Sequence, residues 1–423
     1  MALLSLDARL QAAGRFRLLT LAAVCAGALA VTLAAWQETP RPNPEAAGLS
    51  PARLREATDL LARYVAERKI AGAVAAVARR GRLGYFEAVG VQDLETRVPM
   101  QARSLFRIYS MTRPITAVAV MMLHEEGKFD LDDPVARFIP EFKNAVVAGP
   151  PGSAPRAPAR AMTVRDLLLH TSGLQPRTSE IYQREQVRSR TISMSQFVAN
   201  LVRVPLMEDP GTRYRYSEGT TVLGRLVEIW SGKPFEVFLS ERLFRPLRMT
   251  DTMFWAATPD ERSRLATVYG PAQGGGLTRV ETETLPFTER PTLVEGAVGL
   301  LSTVPDYLRF SQMLLNKGEL DGARILNPKT VEMMTQNGLS DSVQMTRGGS
   351  TGWGLANVQV VLDANNADAG TRGEYGWDGT AGTIFWVDPA RQMVTVLMTQ
   401  SAPSNPDQIR QRFKAIVQQA GVD

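Results

Sequence analysis

Ser110 and Arg113 stand three residues apart in FRIYSMTRPITAVAVMMLHEEGK, the stretch 106–128. A serine opening a helical pattern is a candidate nucleophile: positions i and i+3 share a helix face, and the helix N-terminus favours negative charge developing on the hydroxyl. The residue placed to take its proton is an arginine, whose guanidinium stays protonated in proteins. Serine chemistry here therefore needs a base from elsewhere in the chain.

Histidine is scarce. Among 423 residues there are two, His124 and His170. His124 ends the helical stretch that Ser110 opens, on the order of 20 Å along its axis. His170, in LLLHTSGL, reads as a structural group bonding nearby backbone. GGSTG (348–352) matches the nucleophile-elbow pattern G-x-S-x-G, but that arrangement needs an acid and then a histidine after the serine, and none follows His170. It reads as a flexible glycine turn.

With 44% apolar and 22% charged residues the chain has a globular composition and length enough for two lobes. A net charge of +5, scattered among acids, leaves no nucleic-acid footprint. One cysteine, Cys25, excludes an intrachain disulfide, and with two histidines it cannot complete a Cys/His metal site. The reading therefore has no metal and no cofactor. Oligomeric state has no signature in the sequence.

Cys25 lies in the apolar run LLTLAAVCAGALAVTLAAW (18–36), preceded by Arg9, Arg15 and Arg17. That is an export segment, at the boundary between a signal-peptide core and a minimal membrane span. Ala28 and Ala30 offer a cleavage site, and the arginines leave the remainder facing the periplasm or exterior, whether the segment is cleaved or anchors the chain in the cytoplasmic membrane. Residues 1–36 are read as that signal or anchor, the proline-rich 37–48 as a linker, and 49–423 as the folded domain.

Ser50 and Pro51 make a cap and first-turn pair, followed by helical spacing of Leu54, Ala57, Leu60, Leu61, Tyr64 and Val65 to about residue 68. The period then becomes two: AGAVAAVARR and LGYFEAVG form a hairpin across Arg80-Gly81-Arg82. TIFWVDP (383–389) and MVTVLMTQ (393–400) form a second hairpin, and an amphipathic helix runs from about 406 to 420. Between them, 106–128, MTVRDLLLHTSGL, TTVLGRLVEIWSGKPFEVFLSERLF and TVPDYLRFSQMLLNKG read as helices. AGPPGSAPRAPAR (148–160) reads as a mobile loop, and 361–376 as a long loop feeding the last hairpin. The order implies that the chain ends meet in one sheet while the middle forms a second lobe.

Three segments fall in a recognisable order: Ser110-Met111-Thr112-Arg113, the turn Tyr216-Ser217-Glu218, and Trp377-Asp378-Gly379-Thr380. With HTSGL (170–174), YSEGTTVLGRLVEIWSGKP (216–234), LLSTVPDYLRFSQMLLNKGELDGARIL (300–326) and YGWDGTAGTIFWVDP (375–389), the chain resembles the serine β-lactamase and penicillin-binding-protein superfamily. The branch is that of class C β-lactamases and their esterase relatives, and the similarity covers about 49–400. It implies an α/β chain of the α+β type: an antiparallel sheet flanked by helices (about 49–125 and 295–423) plus a helical lobe (about 126–294), with the site in the cleft.

The resemblance also implies roles. Ser110 would be acylated, and Arg113 sits where a lysine accepts or relays the proton. Tyr216 matches the tyrosine, with Tyr214 a weaker candidate, and Glu218 replaces an asparagine that contacts substrate amides. Gly379 lets backbone approach the substrate, Thr380 would give its N–H to the oxyanion hole with that of Ser110, and Trp377 replaces a cation that grips carboxylates. That replacement favours uncharged esters over penicillins within the class of small-molecule esters, amides and lactams. Arg113 leaves two readings. Either Tyr216 is the base as phenolate, with Arg113 the fixed cation favouring that form, or the site binds an acyl ligand such as a peptidoglycan stem without turnover.

Overall fold

The computed structural model describes residues 41–150, 152–364 and 370–422. The expected export segment lies outside the described residues, among which no helix is long and apolar enough to cross a membrane. Helix α1 (Pro51–Ala66) starts as its sequence dictates: the Ser50 hydroxyl accepts from the Arg53 N–H and Pro51 occupies the first turn. Strands β1 (Gly72–Arg79) and β2 (Arg82–Gly90) follow.

Five further strands, β3 (Thr351–Gly354), β4 (Val358–Val361), β5 (Tyr375–Asp378), β6 (Ile384–Asp388) and β7 (Met393–Thr399), complete a seven-stranded sheet of order β2-β1-β7-β6-β5-β4-β3. Every pairing is antiparallel, with Val74 opposite Met398 and Trp377 opposite Phe385. β1 is buried along its whole length, and alternate residues serve two cores. Ala73, Ala75 and Val77 face α1 and the C-terminal helix (Ile409–Gln419), whose Phe413 and Val417 meet Leu61 and Tyr64. Val74 and Ala76 face the larger core.

The helix predicted over 106–128 is shorter than its pattern. Phe106–Arg107 pairs with Leu301–Ser302 as a strand, Tyr109–Met111 forms a 3₁₀ turn, and helix α2 runs Thr112–Glu125. Residues 112–123 of α2 are all buried, which suits a helix apolar on every side. Helix α3 (Gly219–Ser231) packs on α2 and ends at Gly232, whose φ of 68° is the left-handed cap that glycine supplies freely. That glycine splits the expected 220–244 helix in two. MTVRDLLLHTSGL yields one short helix, Val164–Leu168, whose pattern was a packing signal more than a length signal. Segment 126–294 contributes no described strand to the large sheet and contains one short ribbon, Tyr269–Pro271 with Leu277–Arg279.

The loop 148–160, read as mobile, is tied down where it is described. Arg156 grips Asp209 in bidentate fashion at 2.9 and 2.6 Å, and Arg160 grips Asp166 at 2.6 and 2.8 Å. Composition conceals this because each partner is remote in sequence or belongs to the next helix.

Helix α4 (Val304–Leu315) lies under the sheet, with Tyr307 against Phe385 at 5.0 Å. Its first-turn Asp306 accepts the Asp251 N–H at 2.7 Å and the Thr252 hydroxyl at 2.8 Å. Burial pushes the Asp306 carboxyl up to about 7. Between the unfolded value near 4 and that pH, the folded chain holds a proton that the unfolded chain has lost, so stability falls as pH rises through the window. Asp306→Asn cannot titrate. Its melting temperature should therefore drop less between pH 5 and pH 8 than that of the parent chain; an identical drop in thermal melts would refute the assignment.

Candidate active site

Ser110 sits on the 3₁₀ turn immediately before α2, with its side chain 6% exposed. Tyr109 ahead of it has φ of +41°, a conformation bulky residues rarely adopt. Packing holds it there: its ring meets Phe287 edge-on at 5.8 Å and its hydroxyl bonds Thr282. Beyond the serine, the Tyr307 hydroxyl donates to the Met111 carbonyl at 2.8 Å and the Leu300 N–H donates to the Thr112 hydroxyl at 3.1 Å. The turn that carries Ser110 is thus clamped on both sides.

Arg113 leans away from Ser110 toward the turn before α3. Nη1 donates to the Ser217 carbonyl at 2.7 Å and the Thr220 hydroxyl at 2.8 Å, and Nη2 lies 3.7 Å from a Glu218 carboxylate oxygen. The guanidinium carbon lies 4.3 Å from the centroid of the Tyr216 ring, over its face. Arg113 is therefore an electrostatic neighbour of the tyrosine. Glu218, expected among the substrate contacts, instead turns inward and is 2% exposed.

The Tyr216 hydroxyl receives the Trp377 indole N–H at 3.0 Å. Burial pushes its pKa up; Arg113, the Ser110 hydroxyl and the Trp377 N–H pull it back, Glu218 opposes them, and the balance remains above the ordinary phenol value. A phenolate standing ready beside Arg113, as the sequence suggested, is not the resting state. Tyr216 rests as a phenol whose oxygen takes the Trp377 N–H. Tyr214 packs against His170 at 5.9 Å and Trp353 at 5.4 Å, with Arg347 over its ring at 5.0 Å.

His170 is fully buried, and burial followed by the Arg113 charge drives its pKa well below the usual imidazole value. Its Nδ1 accepts the Ser217 N–H at 3.4 Å and its ring lies 4.7 Å from that of Tyr216, which fits the structural role read from LLLHTSGL. His124 bonds the Phe129 carbonyl at 3.0 Å.

Trp377, Gly379 and Thr380 come together at the end of β5. A Cβ on Gly379 would lie 2.4 Å from both the Ile108 carbonyl oxygen and the Thr383 hydroxyl, so only glycine lets this strand press against the turn carrying Ser110. Thr380 is exposed on the turn that follows. Three residues without local motifs support the site. Trp353 fills the space behind it, 4.5 Å from Trp377 and 5.2 Å from His170. Asn357 accepts from Thr220 and donates to the Leu168 carbonyl, both at 2.9 Å. Arg410, from the C-terminal helix, bonds the Asp378 carboxylate and the Gly379 carbonyl, the latter at 2.8 Å. Neither Trp353 nor Arg410 lies in a local motif that would have marked it in the sequence.

A cleft of about 380 Å³ runs beside β5, lined by Gly376, Trp377, Asp378, Trp386 and Arg410. A larger cavity of about 570 Å³ opens elsewhere, on Phe244, Met249, Phe254 and Trp255.

A large antiparallel sheet flanked by helices, with a buried serine on the turn that opens one of them, matches the β-lactamase and transpeptidase class of fold. The chain belongs to the Beta-lactamase family, whose model matches residues 57–419. It is 35% identical over 353 residues to Protein Rv1367c of Mycobacterium tuberculosis, covering 79% of this chain and 86% of that one. It is 31% identical over 363 residues to Esterase EstB of Burkholderia gladioli, covering 79% and 87%. The solved structure of EstCE1, titled a hydrolase with promiscuous acyltransferase activity, superposes with a TM-score of 0.76 at 26% identity, over 88% of this chain and 99% of that one.

Two substitutions test whether the β5 turn sets the nucleophile. Gly379→Ala should slow acylation of Ser110 and lower the melting temperature together. Arg410→Gln should lower the acylation rate about ten-fold or more, the order of effect seen when oxyanion stabilisers are disturbed; an unchanged rate constant would remove Arg410 from the site's support.

Proposed function

We propose that the chain is a serine hydrolase that forms an acyl-enzyme on Ser110 and acts on uncharged esters. The observation that carries this reading is that the Tyr216 oxygen takes the Trp377 N–H beneath a fixed guanidinium, with the Ser110 hydroxyl among the groups that lower its pKa. The similarity to a protein named as an esterase and to one titled a hydrolase supports it.

In the proposed reaction the Ser110 Oγ attacks the ester carbonyl carbon while its proton passes to the Tyr216 oxygen in its ionised form. The tetrahedral oxyanion faces the N–H groups of Ser110 and Thr380. The carbon–oxygen bond to the leaving group then breaks, and Tyr216 returns its proton to the departing alkoxide. Water enters by the same route in reverse and releases the acid. A raised phenol pKa makes the basic form scarce at neutral pH, yet a phenolate of higher pKa is a stronger base toward a serine hydroxyl, and the two effects partly offset each other. Arg113 supplies charge that favours the ionised form and never takes the proton.

Trp377, Trp353 and Tyr214 give the surroundings an aromatic character, and a tryptophan stands where a carboxylate-gripping cation would stand. That favours neutral acyl esters over anionic lactams or peptides. The non-catalytic binding reading has no comparable support, since the nucleophile, the tyrosine and the glycine-bearing strand are assembled around one point.

Mass spectrometry after fluorophosphonate, penicillin and p-nitrophenyl ester treatment should find an adduct on Ser110, fastest with the neutral ester; no adduct with any of them would overturn the assignment. The acylation rate should climb with pH from neutrality into the alkaline range, about ten-fold per unit, as the Tyr216 phenolate population grows. Tyr216→Phe should abolish that climb, and a variant that acylates normally would show that another group is the base.

A further inference from the structure

A guanidinium that is 1% exposed cannot shed its proton, and an unpaired charge in such a place carries a large desolvation penalty. The hydrogen-bond acceptors around Arg113, the Ser217 carbonyl and the Thr220 hydroxyl, are neutral, and its Nε has no partner. The carboxylate within ion-pair reach, among the described residues, is Glu218 at 3.7 Å.

Among the described residues, Glu218 has no second ion pair. The Thr221 hydroxyl donates to it at 3.2 Å, and the acidic neighbour whose charge it feels, Glu295, is already gripped by Arg188 at 2.6 and 2.8 Å. Arg188 also binds Glu283, which Arg177 approaches to 3.6 Å, so the two carboxylates of that cluster have cations of their own. The remaining titratable groups facing Glu218 are the Tyr182 and Tyr216 phenols, both of which its charge pushes up.

We propose that Arg113 and Glu218 form one coupled unit, in which Glu218 is a positioning residue that neutralises the buried guanidinium and holds it flat against the Tyr216 ring. Two residues that each depart from what the sequence pattern leads one to expect are then a single change, the carboxylate being required by the arginine. A neutral pair beside the serine also suits an uncharged substrate, a consequence that rests on the esterase reading above.

A double-mutant cycle tests the pair in the full chain. Glu218→Gln keeps the shape and leaves the guanidinium uncompensated, so the melting temperature should fall by several degrees. Arg113→Lys in that background introduces a cation able to shed its proton, and the double variant should regain at least half of the loss. Losses that simply add would overturn the coupling. If Glu218→Gln fails to fold, recovery of a cooperatively melting protein in the double variant supports the proposal, and failure of both refutes it.

The positioning role has its own readout in the pH profile of Ser110 labelling by a fluorophosphonate. In Glu218→Gln the alkaline limb should move to lower pH, because a negative charge that raises the Tyr216 phenol has gone, whereas a purely structural carboxylate would leave the limb in place. The melting cycle decides the pair even if the parent chain is never labelled, an outcome that would sink the hydrolase reading alone.

Discussion

The site depends on one close approach: the backbone of Gly379 lies against the carbonyl of Ile108, where any side chain would collide. Through that contact the sheet fixes where the nucleophile turn can be. The strained Tyr109 backbone, the Tyr307 hydroxyl on the Met111 carbonyl and the Arg410 grip on the Gly379 carbonyl each make the contact harder to relax. Strain of this sort persists only where surrounding packing over-determines it, and here Phe287, Tyr307 and Arg410 do so. A reactive hydroxyl placed by rigid scaffolding needs little reorganisation at the moment of attack.

Electrostatics around the serine are arranged differently from a site built on a titrating amine. A lysine can be driven toward neutrality by burial and then accept a proton; a guanidinium cannot, so burial acts on the phenol instead. Desolvation raises Tyr216, the cation above its ring lowers it, and the buried carboxylate beyond the cation weakens that lowering. The tyrosine therefore becomes the group that titrates, and the indole N–H of Trp377 takes part in its solvation. Aromatic rings supply much of what water would otherwise provide in this part of the cleft.

Much of this was legible in the sequence because it is written in local patterns. Alternation in GAVAAVAR, the cap at Ser50 and the glycine stops specify elements whose boundaries fell close to their signals. Ser110 was found from its place at the head of a helical pattern, and Tyr216 and Trp377 through the family resemblance; the structure brings Tyr216 and Trp377 into contact beside Arg113. What was missed depends on long-range partners. The 106–111 stretch has helical spacing yet becomes strand and 3₁₀ turn, because pairing with Leu301–Ser302 outweighs propensity. Glu218 was placed among the substrate contacts because the resemblance puts an asparagine there, whereas it is buried beside Arg113, a cation far away in the chain. Arg410 is an ordinary member of an amphipathic helix until the turn at Asp378 folds onto it.

The strand order carries a consequence for biosynthesis. β1 hydrogen-bonds to β7, so the edge of the early hairpin is left open until β7, far downstream, has been made. An exposed apolar edge is a template for pairing with the wrong partner, and contacts between chain ends are slow to find. The anchor of the glycine turn, Arg410, lies in the last helix and arrives later still. The nascent protein must therefore keep its first hairpin soluble, and the turn that carries Ser110 unsupported, until β7 and the helix bearing Arg410 have been made, so that the surroundings of the serine take shape late in synthesis.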